Sequence, residues 1–73
     1  MTNLLEVPID ITFRITSVHE KARKKLLQYG LHIGDTVRVV RIAPMGGPLL
    51  VEINSRELAL GRDIAEKITV EAA

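Results

Sequence analysis

Three groups of residues in this chain carry enough chemistry to suggest a function. His19, Glu20, His32 and Asp35 are of metal-ligand type, and imidazoles with carboxylates suit zinc or ferrous iron when folding gathers three or four of them. Their spacing does not enforce such gathering. His19 and Glu20 are adjacent, so on a helix they point roughly 100° apart. Lys21, Arg23, Lys24 and Lys25 form a basic run suited to phosphates. Recognition of bases would need aromatic stacking as well, and the chain has one phenylalanine and one tyrosine. A solvated helix face accounts for the basic run. The third group is the stretch "APMGGPL", Ala43, Pro44, Met45, Gly46, Gly47, Pro48 and Leu49. Its prolines fix their own backbone angles and restrict Ala43 and Gly47, while its glycines open angles that other residues avoid. A stiff loop of this kind would hold Met45, an adaptable apolar side chain, at its tip, which suits contact with another protein. It is no phosphate loop, because no Lys-Ser/Thr pair and no helix start follow the glycines.

Catalysis finds less to work with. The absence of cysteine removes thiolate nucleophiles, thiolate metal sites and disulfides together. The two serines have no His and Asp at a recognisable triad spacing, so a non-enzymatic protein is expected. The net charge of +1 gives no general pull toward polyanions. No apolar stretch approaches the roughly 18 residues of a membrane span, so the expectation is a cytoplasmic protein without membrane insertion.

The elements that must position these residues follow from periodicity. "PIDITFRIT" alternates, with Ile9, Ile11, Phe13 and Ile15 on one face of a strand. Ser17 and Glu20 have the spacing of a capping box, from which a helix of about three turns carries Val18, Ala22, Leu26 and Tyr29 inward and ends at Gly30. Leu31 and Ile33 are expected to fold back onto the core. "TVRVVRIA" forms the second strand, and its apolar phase slips by one residue between Val39 and Val40, which predicts a bulge. "LLVEI" and "RELAL" predict a hairpin turning at Asn54 and Ser55. "GRDIAEK" allows one helical turn and "KITV" a last strand. The expected fold is mainly β, a small SH3-like barrel of about five strands with one α-helix between strands one and two, because closure removes exposed edges. An OB-fold is the alternative. The expected core is Ile9, Ile11, Ile15, Leu26, Leu31, Val37, Val39, Val51, Leu58, Leu60, Ile64, Ile68 and Val70, in one domain over residues 1–73.

The order "KKLLQYGLHIGDTVRVVRIAPMGGPLLVEINSRELALGRDIAEKITV", about residues 24–70, resembles the ferrous iron transport protein A (FeoA) family. The matching positions include Leu26, Gly30, Leu31 and Gly34, then Ala43, Pro44, Gly46 and Pro48, then Leu58, Ala59 and Leu60. The resemblance implies an SH3-like barrel that serves ferrous iron uptake by acting on the membrane GTPase, ferrous iron transport protein B; the stiff loop, residues 43–49, is the contact expected from its own residues. The barrel requires no cofactor. The competing class is a regulatory module that binds ferrous iron or zinc weakly through His19, Glu20 and His32, and a nucleic-acid-binding barrel ranks below both. Strand edges in so small a barrel leave a homodimer open.

Overall fold

The computed structural model describes residues 2–73. Eight elements follow in chain order: β1 (Thr2–Asn3), β2 (Thr12–Val18), α1 (Glu20–Gln28), β3 (Thr36–Ile42), β4 (Leu49–Ile53), β5 (Arg56–Leu60), α2 (Arg62–Ala65) and β6 (Ile68–Ala72). The strands make one antiparallel sheet in the order β1-β6-β2-β3-β4-β5. It curls around a single core within extents of 27 × 25 × 24 Å, the mainly β, SH3-like architecture expected. Six strands are present where five were expected, and the added one is the two-residue β1, paired with β6.

The core is aliphatic. Ile15, Val37, Val39, Leu49, Val51, Ile53, Leu60, Ile68 and Val70 enter it from the sheet, Ala22 and Leu26 from α1, Ala65 from α2, and Leu4, Val7 and Leu31 from the connections. The alternation in β4 (Leu49, Val51 and Ile53 in, Leu50 and Glu52 toward the outside) is what a sheet with one buried face demands. Ladder partners Leu49↔Leu60 and Val51↔Leu58 hold the β4–β5 hairpin in the expected register. The phase slip in β3 is a bulge: register shifts between Val39 and Arg41 against β4.

Four expectations are corrected. The first long strand begins at Thr12, and Ile9 and Ile11 are exposed at 44% and 51%. Asp10 lies at φ 67° with its N–H bonded to the Val39 carbonyl at 2.8 Å, which breaks the alternation just before it would have been useful. Leu4 and Val7 fill the core instead. There is no capping box on Ser17, which is a β2 residue opposite Thr69. His19 is the N-cap, and its Nδ1 accepts from the Lys21 N–H at 3.1 Å. Ile33 does not fold inward; the His32–Asp35 turn leaves it exposed while Leu31 is buried. Leu58 and Ile64 pack against the core only in part.

Gly30 ends α1 at φ 78°, and the Leu31 N–H returns to the Leu26 carbonyl at 2.9 Å, the closure a left-handed C-terminal glycine provides. Arg56 adds a hydrogen bond to the Tyr29 carbonyl, tying the helix end to β5.

Candidate functional site

The β3–β4 connection begins where the bulged β3 has already twisted the hairpin. At its base the Ala43 N–H donates to the Pro48 carbonyl at 3.0 Å, and one step further out the Gly47 N–H donates to the Pro44 carbonyl at 3.2 Å. Between them Met45 and Gly46 have φ 59° and 74°. Two successive left-handed residues closed by an i to i+3 bond form a type I′ turn, whose twist matches that of the flanking strands. Gly46 is an ordinary occupant of such a turn. Met45 is not, since a side chain in the left-handed region crowds its own carbonyl at a cost of roughly 1–2 kcal/mol. No packing repays that cost, because Met45 is fully exposed, at 103%.

The residues around it explain why the turn holds this shape. A Cβ on Gly47 would lie 2.8 Å from Ala43 Cβ and 3.2 Å from the Pro44 carbonyl oxygen, so only glycine lets the two arms close. Pro44 and Pro48 stand exposed at either side of the tip, while Leu49, expected as part of the contact, is buried and instead anchors the loop in the core, which leaves 43–48 as the candidate contact. A Cβ on Gly46 would come within 4.0 Å of Arg62 Cδ, so the start of α2 flanks the tip. Sequence reading missed Arg62 because no local pattern announces a contact between residues sixteen positions apart. Ile42, the last residue of β3, is also exposed.

The candidate metal ligands are dispersed. His19 Nδ1 is engaged as the helix cap. His32 Nδ1 lies 3.6 Å from Asp35 Oδ2, which already accepts from the His32 N–H at 2.9 Å. Glu20 belongs to the first turn of α1. Among the described residues no group of three or more His, Cys, Asp or Glu could hold a metal ion. On the opposite sheet partners, Arg38 bridges Asp10 at 3.1 Å and Glu52 at 3.0 Å. The hydrogen bond to Glu52, and then its charge, raises the Arg38 pKa above the ordinary guanidinium value. That cluster clamps the Asp10 turn to the sheet and pairs the Arg38 guanidinium with two carboxylates. Among the described residues no helix is long and apolar enough to cross a membrane.

The FeoA domain model matches residues 2–72. The chain belongs to the FeoA domain family. A relative from Methanocaldococcus jannaschii, provisionally named Fe(2+) transport protein A, is 35% identical over 52 residues, 71% of this chain and 61% of the relative's own length. The chain thus spans less than two thirds of that curated relative. The solution structure of the FeoA protein from Chlorobium tepidum superposes with a TM-score of 0.83 at 34% identity, covering 97% of this chain and 70% of that one. A FeoA-like protein from Clostridium acetobutylicum gives 0.86 at 28% identity, covering 99% and 90%. The family match spans residues 2–72, beyond the span 24–70 that carries the resemblance in sequence, and so takes in β1 and Leu4.

Proposed function

We propose that this FeoA domain is a cytoplasmic, non-enzymatic accessory of ferrous iron uptake that docks through its 43–48 loop on the membrane GTPase, ferrous iron transport protein B. The observation that carries the reading is Met45. A fully exposed apolar side chain, held by a type I′ turn in a backbone conformation that disfavours it, is strain without a structural return, and such strain collects at binding sites. Family membership and the name of the Methanocaldococcus jannaschii relative support the iron-transport setting.

Docking would act by differential affinity. A rigid tip that fits one conformation of the GTPase domain better than another shifts the balance toward that conformation by the ratio of the two affinities, and by no more. A preorganised turn loses little freedom on binding, so most of the contact energy of Met45 is retained. Calorimetric titration of the cognate GTPase domain with this protein tests the reading. Met45→Asp is expected to weaken binding by about tenfold or more with melting unchanged or slightly raised, and equal affinity of mutant and wild type would exclude the loop as the contact.

A further inference from the structure

A second surface has unpaired apolar and cationic groups side by side. Between α1 and the segment after it lies a groove of about 290 Å³, lined by Val18, Leu26, Leu27, Leu31, Ile33 and Arg23 along with His32. Leu26 and Leu31 are buried in the core, but Leu27 and Ile33 are 63% and 60% exposed at the groove. Its volume falls just below the roughly 300–1,000 Å³ typical of small-molecule pockets. The space suits inserted aliphatic side chains better than a cofactor.

Charge decides what those side chains belong to. Arg23 and Lys24 precede Leu27 by four and three residues, so they share its side of α1. Neither they nor Lys21 and Lys25 have a carboxylate within 4.0 Å among the described residues, where the ion pairs are His32–Asp35, Arg38–Asp10, Arg38–Glu52 and Lys67–Glu66. Arg23 donates from Nε to the Val18 carbonyl at 3.4 Å, which lays its side chain along the groove. Asp35, the acid of the neighbouring segment, is occupied by the His32 N–H and ring.

We propose that this groove is a docking surface for an acidic amphipathic segment of a partner protein. Two of its apolar side chains enter between Leu27 and Ile33, and its carboxylates meet Arg23 and Lys24. Helix-in-groove recognition has this division of labour, with apolar anchors for affinity and charge for register and on-rate. The concavity favours a side chain over a flat lipid surface. The surface excludes the 43–48 loop, so its failure and that of the loop are separable.

The experiment is a random-peptide display selection on the full-length protein, counter-selected on Leu27→Asp, followed by amide-shift mapping of the enriched peptide on labelled protein. Leu27 is exposed, so the variant is expected to fold; Ile33→Ser serves as a second one, with the amide spectrum as the control for both. The expected result is enrichment of peptides that pair two apolar positions with Asp or Glu, shifts confined to residues 18–33, and about tenfold weaker binding on Leu27→Asp or on Lys24→Glu. Basic or proline-rich winners, binding indifferent to Leu27→Asp, or no enrichment at all would overturn the proposal. So would Leu27-dependent binding to vesicles of anionic phospholipid in place of peptide.

Discussion

The β3–β4 and β4–β5 hairpins turn with the same backbone signs but different residues. At one tip Asn54 and Ser55 have φ 52° and 65°; at the other Met45 and Gly46 have 59° and 74°. Asparagine is the non-glycine residue that tolerates the left-handed region best, because its short polar side chain bonds locally. The β4–β5 turn therefore has a tolerant residue at its first central position and a small polar one, Ser55, at its second, whereas the β3–β4 turn places the long apolar Met45 at its first position, a shape that side chain resists. The same distinction runs down each hairpin. Both rest on the Leu49↔Leu60 pair, yet only the β3–β4 connection adds two prolines and a glycine without room for a Cβ. Where a chain hardens a loop and then places an unfavoured, exposed residue at its apex, folding alone does not account for the choice.

Substitutions can break or sharpen this contrast. Leu60→Ala removes the shared foundation, and a fully buried leucine is expected to cost about 3 kcal/mol, read by urea unfolding; for a domain this small that approaches global unfolding. Gly47→Ala breaks the β3–β4 turn alone. Its Cβ would meet Ala43 at 2.8 Å, so a loss of about 2 kcal/mol is expected, with amide shifts concentrated at 43–48. The smallest effects come from exchanging the two tips. Met45→Asn should raise stability by about 1 kcal/mol and Asn54→Met lower it by a similar amount, which for a domain of this size moves Tm by about 5 °C in opposite directions. Equal and null effects of the exchange would erase the contrast.

How much of this was legible in sequence depends on whether the information was local. Gly30, the Asn54-Ser55 hairpin and the bulge after Val39 were readable because glycine chemistry, turn chemistry and apolar phase act within a few residues. Leu4 was not. It is buried because its N–H pairs with the Ile68 carbonyl at 3.0 Å, across more than sixty residues, and "NLLE" shows no alternation of its own. Ile9 and Ile11 misled for the converse reason: their alternation is perfect, but Asp10 adopts a left-handed angle between them and the ladder starts only at Thr12. The helix cap failed by competition, since pairing with Thr69 keeps Ser17 in β2 and hands the cap to His19. For the loop, residue types announced rigidity. The left-handed angle at Met45 comes with the local closure of the Gly47 N–H on the Pro44 carbonyl, a turn type that a methionine does not announce. The nearness of Arg62 comes from α2, which no pattern in 43–48 encodes.

The most direct test of the central claim is an amide titration of isotope-labelled protein with the cytoplasmic GTPase domain of its cognate transporter, with and without nucleotide. The account predicts shifts centred on Ala43 to Pro48 and Arg62, stronger in one nucleotide state than the other, and abolished by Met45→Asp. A spectrum unchanged at the loop, with saturable shifts at His19 and His32 on adding ferrous iron instead, would contradict it.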